Sequence, residues 1–503
     1  MGRLSVVSGN REGRVAIVGA GPAGLYAAEA LSKAGVSVHI FERLFAPHGL
    51  LRYGVAPDHQ KIKKVGRVFD KILARKNIHL WANVPVCRNA RGAHGVTIPE
   101  LGEFFDQVLI ASGSPNARSL GIPGEDWAGS YSATEFVGWY NSHPDFFQLK
   151  PRLVGQRAII IGMGNVALDV ARVLARDPQE LAATDISESA QEALARSSLE
   201  EILVVARRGP NQAAFDVREV RQLMDLEGVS VGVEPFEAPI FNQKAELMAS
   251  LPTASELRKK PGKRIIFRFL ASPIRLIDSA RAEPSHQKAP RVTGVRFVQN
   301  QLEEETPGTF RPVPSTEEFE EECSLFFRAI GYLGMPFEGV PFDEEEHLVA
   351  HNHGRVVTLD SVSCSALSAE QRATLALVSA DRLYAAGWVK RGPTGLIGTN
   401  RSCAHETVEQ MLRRLRPSQE LRGLDELEAL LARREALIFR EEDWFLLSRL
   451  EEKLGGSLGK DRRKFLSAEA ASEALRRARS AESPMGHDPS EGGCPSPAKA
   501  ASS

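Results

Sequence analysis

An α/β protein of two Rossmann-type dinucleotide-binding domains, the second inserted into a discontinuous first, is the fold class this sequence predicts. Three observations predict it. An apolar strand, Arg14-Val15-Ala16-Ile17-Val18, runs into Gly19-Ala20-Gly21-Pro22-Ala23-Gly24 and then a helical stretch at 25–31. The same grammar recurs as Ala158-Ile159-Ile160-Ile161 followed by Gly162-Met163-Gly164-Asn165-Val166-Ala167. Much later, Leu383-Tyr384-Ala385-Ala386-Gly387 reads as a strand ending in small residues before a new helix, which completes the first sheet. One glycine loop after a strand is common. Two copies, each between strand and helix, imply two dinucleotides held by one chain.

Each position in the loops has a physical reason. Gly19 and Gly162 permit the tight turn, and Gly21 and Gly164 let the backbone approach a pyrophosphate. Gly24 and Ala167 let the helix pack against its strand. The helices that follow aim free N–H groups and a positive dipole end at the phosphates. Pro22 falls in the first helical turn, where a missing N–H costs little.

Cofactor choice is set at the end of the next strand. Residues 36–41 form an apolar strand that ends in Glu42. A carboxylate there accepts from ribose hydroxyls and repels a 2′-phosphate, which suits FAD or NAD. In the second unit, residues 201–206 lead into Arg207-Arg208-Gly209. Two guanidinium forks in place of the acid suit the 2′-phosphate of NADP. The polar segment 177–200 reads as an inserted helical stretch between loop and strand. The plainer readings are a solvated strand end for Glu42 and a surface charge run for the arginine pair.

With 503 residues the chain fits two or three domains, and its net charge of −1 points to neither nucleic acid nor a membrane surface. No apolar run reaches the length of a membrane span. Residues 1–13 read as neither a secretory nor a transit leader, so the expected compartment is cytoplasmic, with the mitochondrial matrix as the alternative. Cys87, Cys323, Cys364, Cys403 and Cys494 are scattered, with no CxxC. That spacing excludes a redox-active cysteine pair, a cysteine-ligated cluster and a cysteine metal site. The expected division is an FAD domain at 1–114 and 324–415, an NADP domain at 115–323, a helical extension at 416–479 and a disordered tail at 480–503.

Three longer strings carry a family resemblance: Gly49-Leu50-Leu51-Arg52-Tyr53-Gly54-Val55-Ala56-Pro57-Asp58-His59; Gly162 through Leu168-Asp169-Val170-Ala171-Arg172 with Arg207-Arg208-Gly209-Pro210; and Gly387-Trp388-Val389-Lys390-Arg391-Gly392-Pro393-Thr394-Gly395. Together they resemble the adrenodoxin-reductase-like NADPH–ferredoxin reductases over roughly residues 14–412, with a weaker echo at Glu442-Asp443-Trp444 and Gly459-Lys460. The resemblance implies a flavoprotein that moves a hydride from NADPH to FAD and then single electrons to a ferredoxin-type iron–sulfur protein. It places Gly19, Ala23, Glu42, Leu50, Val86, Trp388 and the backbone of Gly395, Leu396 and Ile397 against the flavin nucleotide. It places Met163, Gly164, Asn165, Val166, Arg207, Arg208, Glu219 and Gly395 against NADP.

The residues of the third string agree on physical grounds. Gly392, Pro393 and Gly395 make a turn that opens a helix, so N–H groups at Gly395, Leu396 and Ile397 face the pyrimidine end of a flavin. Trp388 stands at the hydride path, or is an ordinary core aromatic. One position departs from the family pattern: Gln222 replaces a second acid that works with the histidine matching His59. An acid-assisted relay through His59 is thereby in question, because glutamine does not titrate. For an acidic ferredoxin, the docking candidate is the basic run Arg258-Lys259-Lys260-Pro261-Gly262-Lys263-Arg264, with Arg268 beyond it; a solvated loop is its plainer reading. Lys390 and Arg391 are the alternative docking site. Competing functions are a quinone reductase or diaphorase using the same hydride step, and a nucleotide-binding electron-transfer subunit.

Overall fold

The structure, a computed structural model, describes residues 12–87, 94–278, 290–357 and 382–482. Cys364, Cys494 and the expected tail beyond residue 482 lie outside them.

The first strand, Arg14–Val18, is almost wholly buried because helices cover both faces of its sheet. Across that sheet the order is Ile78–Ala82, Ser37–Glu42, Arg14–Val18, Gln107–Ile110 and Leu383–Ala385, all parallel. Short antiparallel strands Arg355–Val356 and His351–Asn352 finish the edge. Strand order reverses at Arg14–Val18, which opens a crevice at the carboxyl ends of the strands, where such sheets bind ligands. Leu383–Ala385 returns to this sheet beside Gln107–Ile110, so the first unit is discontinuous.

The second sheet is also parallel, in the order Ser130–Ser132, Leu325–Arg328, Arg157–Ile161, Glu201–Val205, Lys263–Arg268 and Val229–Val233. Leu325–Arg328 was expected to open the return of the first unit at residue 324. It lies instead between Arg157–Ile161 and Ser130–Ser132. Leu325, Phe326 and Phe327 are fully buried, and the Phe327 ring packs on Tyr131 and Phe136, so this apolar run needs a partner on both faces. Apolarity alone does not say which of two parallel sheets a strand joins.

The inserted stretch at 177–200 contains helices Pro178–Leu181 and Glu188–Ala195. The charged insert after Lys263–Arg268 is a three-stranded antiparallel sheet, Ala271–Asp278, Val292–Thr306 and Thr309–Glu322. It reads poorly in sequence because the outer half of its long hairpin is exposed and shows little alternation.

Beyond residue 415 three helices follow: Leu424–Arg433, Glu441–Gly456 and Ala468–Glu482. Leu427 and Leu431 are fully buried against the first unit. Residues 451–465 bridge both units. Glu451 pairs with Arg52 at 2.6 Å and with Arg462 at 2.9 Å, and accepts from the Phe465 N–H at 2.9 Å. Lys464 donates to the carbonyls of Arg52 and Asn141, both at 3.0 Å, and pairs with Asp185 at 2.8 Å. Lys63 reaches the other oxygen of Asp185 at 2.7 Å. Burial pushes the Asp185 carboxyl up, but the ammonium groups of Lys464 and Lys63 outweigh it and hold it well below the usual range. Lys460 donates to the Ile186 carbonyl at 2.8 Å, and Arg463 pairs with Glu188 at 2.9 Å.

Arg52 and Glu451 are 4% and 1% exposed, so losing one partner strands a charge in the interior. Glu451→Gln is expected to cost about 3–5 kcal/mol. The check is the thermal midpoint of the flavin-loaded protein; an unchanged midpoint would refute the role given to this pair.

Candidate functional site

The first phosphate loop is built as its sequence demands. Gly19 has a φ of +109°, and a Cβ there would sit 2.6 Å from the Ala111 carbonyl oxygen. A Cβ on Gly24 would fall 2.0 Å from the Gly19 carbonyl oxygen. Gly21 caps the helix Pro22–Lys33, and a Cβ on it would meet nothing within 4 Å. Open space at a helix N-terminus is the shape a pyrophosphate needs. Glu42 ends its strand as expected, accepting from the Ala20 N–H at 2.7 Å and the Leu44 N–H at 3.0 Å. Burial pushes its carboxyl up, and those backbone donors oppose the shift. A carboxylate has about four lone-pair sites, so two backbone bonds leave acceptors for ribose hydroxyls.

The remaining flavin-side residues converge on this loop. Gly49 lies directly over Gly21, with a would-be Cβ 2.9 Å from the Gly21 Cα, and carries the 41%-exposed Leu50 beside it. Ala23 lies under Gly387, whose φ is +76° and whose would-be Cβ is 2.6 Å from the Ala23 Cβ. Trp388 opens the short helix Trp388–Arg391 and packs on Tyr332, ring centroids 5.5 Å apart. Its indole N–H is buried with no protein partner among the described residues, as are the hydroxyls of Ser112 and Ser114 after the Gln107–Ile110 strand. Orphaned donors beside an open glycine loop fit a polar dinucleotide. Gly395, φ +78°, and Leu396 lead into Ile397–Arg414, and Arg391 ties the turn by donating to Thr399 and Asn400. Val86 stands on the other side of the sheet end, bridged to Val96.

The second loop repeats the construction. Gly162 has a φ of +124° and a would-be Cβ 2.1 Å from the Ala329 carbonyl oxygen. Gly164 caps the helix Asn165–Ala175 and faces open space. Met163 is buried, with its carbonyl accepting from Ala214, and Val166 packs on the core of the second unit. The Asn165 side chain accepts from the Asp216 N–H at 2.9 Å. Arg207 and Arg208 follow the strand end; the Asn300 amide fixes the Arg207 carbonyl at 2.8 Å. Neither guanidinium has an acidic partner among the described residues, and burial together with Arg207 lowers the Arg208 pKa. Two adjacent cations without a counter-ion make a site for a phosphate dianion.

His59, from the first unit, meets the second unit at the cleft. Its Nε2 lies 2.7 Å from Arg172 Nη2, 3.2 Å from Asp169 Oδ1 and 3.6 Å from Glu219 Oε2. Nε2 therefore faces a donor on Arg172 and acceptors on Asp169 and Glu219 at once. Arg172 also binds Asp58 at 2.6 Å and Asp169 at 2.5 Å. His59, Asp169 and Glu219 are close enough together to hold a cation, and the Arg172 guanidinium supplies that positive charge. Gln222 is exposed and shares with His59 a cavity of about 430 Å³, also lined by Asp58, Arg176 and Asp225. The acids beside His59 are thus Asp169 and Glu219. Asp169, Asp58 and Arg172 stood in the recognised strings without an assigned role; helical spacing puts Asp169 and Arg172 on one face, which was the available signal.

The basic run is placed where it cannot meet the cleft. Lys263 and Arg264 begin their strand at the amino ends of the second sheet, opposite the phosphate loop. Arg258 and Arg264 bind Glu201 at 3.0 and 2.8 Å, and Arg268 binds Glu321 at 2.6 Å. Burial raises the Glu201 pKa, but hydrogen bonds from Arg258 and Arg264 outweigh it and hold it at about 2. Lys390 is buried and paired with Glu406 at 2.7 Å, and Arg391 is committed to its own turn. Neither docking candidate offers a free charged face at the site.

Two dinucleotide folds whose phosphate loops open on one cleft define an oxidoreductase that joins a flavin to a nicotinamide. Residues 13–206 match the family described as pyridine nucleotide-disulphide oxidoreductase. The chain is 36% identical over 473 residues to the NADPH-ferredoxin reductase FprA of Mycobacterium leprae, covering 90% of this chain and 96% of that protein. It is 36% identical over 481 residues to the mitochondrial NADPH:adrenodoxin oxidoreductase of Salvelinus fontinalis, covering 90% and 89% of the two chains. The solved structure of Mycobacterium tuberculosis FprA in complex with NADPH matches with a TM-score of 0.77 at 34% identity, over 92% of this chain and 99% of that one. The chain belongs to the NADPH–ferredoxin reductases of the adrenodoxin-reductase type, flavoprotein oxidoreductases that use FAD and NADP. Among the described residues Cys87, Cys323 and Cys403 are free thiols, and the sequence has no CxxC. No helix among the described residues is long and apolar enough to cross a membrane.

Burial, and then the neighbouring Asp169 charge, push the Glu219 carboxyl up. Asp169→Asn removes the like charge, so Glu219 titrates at lower pH. The acid limb of flavin reduction by NADPH is expected to move to lower pH, measured by anaerobic stopped-flow across the acid range. An unmoved limb would remove this carboxylate pair from the chemistry.

Proposed function

We propose that this chain takes electrons from NADPH and delivers them to a ferredoxin-type iron–sulfur protein, with the residues placed above as its working parts. The observation that carries the NADPH half is the Arg207–Arg208 pair beyond the strand after the second phosphate loop, two cations with no acidic partner among the described residues. FAD, when bound, supplies the hydride acceptor and the step down from two-electron to one-electron transfer. Gly19, Gly21, Ala23, Gly24 and Glu42 hold the adenine nucleotide end. Leu50, Val86, Trp388, Gly395, Leu396 and Ile397 border the ring end. Gly162, Met163, Gly164, Asn165 and Val166 hold the NADP pyrophosphate, and Arg207 and Arg208 read its 2′-phosphate.

At the cleft the protein's task is positional, because hydride transfer needs two stacked rings and excluded water more than an acid. Trp388 and His59 flank that space from the first unit. Asp169, Glu219 and Arg172 hold the His59 ring at Nε2, while Gln222 stays on the exposed wall. The iron–sulfur acceptor follows from the relatives' names, an NADPH-ferredoxin reductase and an NADPH:adrenodoxin oxidoreductase. We place the reaction in the cytoplasm, with the mitochondrial matrix as the other compartment; the name of the Salvelinus protein marks that relative as mitochondrial.

The cofactor released from the purified chain is expected to be FAD. Chromatographic identification of FMN, or a colourless protein after reconstitution with FAD, would defeat the reading of the first unit. Neutralising Arg207 and Arg208 together removes charge-assisted contacts worth roughly 1.5–3 kcal/mol each. The KM for NADPH is expected to rise about tenfold or more, with that for NADH little changed. Equal losses with both cofactors would mean that the arginines serve the fold.

A further inference from the structure

One surface beside the flavin-side loop carries positive charge that no carboxylate among the described residues neutralises. Helices Gln60–Lys63 and Gly66–Leu73 form a nearly continuous helical segment, joined by N–H···O bonds from Lys64 to Gln60, Val65 to Ile62 and Phe69 to Val65. Its inner face is fixed. Phe69, Ile72 and Leu73 are buried, and Lys63 turns inward to Asp185. Its outer face presents Lys61, Lys64, Arg67 and Lys71, all exposed, on successive turns. None of the four has a carboxylate partner among the described residues. The segment's own acid, Asp70, is engaged with His48 at 3.1 Å and with the Trp444 indole at 2.8 Å. Glu29, on the neighbouring helix, is paired with Lys33.

Exposed apolar groups lie among these cations. Ile62 is 40% and Val68 48% exposed, and Leu50, at the flavin-side loop, is 41% exposed. The segment starts directly after His59. It also reaches toward the helix that opens at Ile397: the Arg401 guanidinium lies 5.9 Å from the Tyr26 ring, and that ring packs edge-on against Phe69 at 5.3 Å. An apolar patch ringed by unpaired cations is the form of a protein interface whose partner is acidic.

We propose that Lys61, Lys64, Arg67 and Lys71, around Ile62 and Val68, form the docking surface for an acidic ferredoxin-type iron–sulfur protein. The proposal rests on the acceptor assigned under Proposed function and adds where that acceptor sits. Contact here places the partner beside the loop that carries Leu50, on the flavin side of the cleft. The amino ends of the second sheet offer Lys259 and Lys260, but at the end of their sheet opposite its phosphate loop.

The test uses the flavin-loaded full chain and an acidic [2Fe–2S] ferredoxin as probe. In the variant Lys61→Glu/Lys64→Glu/Arg67→Glu/Lys71→Glu, the calorimetric Kd and the KM for ferredoxin are expected to rise about tenfold or more, the scale of electrostatic steering. The fall of ferredoxin reduction with ionic strength should flatten, while ferricyanide reduction by NADPH stays unchanged and reports an intact fold and flavin site. The control Lys259→Glu/Lys260→Glu/Lys263→Glu should behave as the parent chain. Parent-like Kd and salt dependence in the fourfold variant, or loss of binding in the control, would overturn the docking face alone. Failure of the unaltered chain to bind or reduce ferredoxin while it reduces ferricyanide would overturn the acceptor assignment, and the docking face with it.

Discussion

Two cofactor rings carried on separate sheets exchange a hydride only if the sheets keep a fixed distance, and the contacts around Glu451 and Lys464 impose it. Arg52 belongs to the loop lying over the first phosphate turn, and Asp185 to the insert between the second loop and its arginines. The C-terminal segment binds both. The Lys464 ammonium has three N–H bonds and three acceptors, at Arg52, Asn141 and Asp185. Buried charge tolerates little rearrangement, because moving one group strands the others without water. The cleft therefore has a defined width before any ligand enters it.

The same rule of compensated charge explains which cations are free. Arg52, Lys63, Arg172, Arg258, Arg264, Arg268, Lys390 and Lys464 all have acidic partners and serve architecture. Arg207 and Arg208 do not, and they sit where a phosphate is expected. The outer face of the 60–74 segment does not either. On a chain of net charge −1, local excess of one sign marks places where a partner or ligand completes the balance.

Much of this was legible in the residues because the two nucleotide loops obey strict steric rules. Gly19 and Gly162 take positive φ, and Gly21 and Gly164 face open space; Glu42 ends one apolar strand and Arg207 follows another, despite the insert that lengthens the second unit. Leu325–Arg328 was misplaced because an apolar run carries no sheet address. In the basic run near Lys259 charge is visible in the sequence, but the neutralisation of Arg258, Arg264 and Arg268 by Glu201, Glu234 and Glu321 depends on strand register. Asp169 was hidden as well, since only the meeting of the two units brings His59 to it.

The Arg52–Glu451 contact spans 399 residues of chain. Loop-closure entropy grows only slowly with loop length, so even a pair this distant can still be rewarded once nearer strand pairs are in place. Each phosphate turn is built from contacts within its own unit, at Ala111 for Gly19 and at Ala329 for Gly162. The mutual orientation of the two units is instead in the keeping of the far end of the chain, so shortening the chain from that end loses the alignment of the two nucleotide sites before it touches either turn.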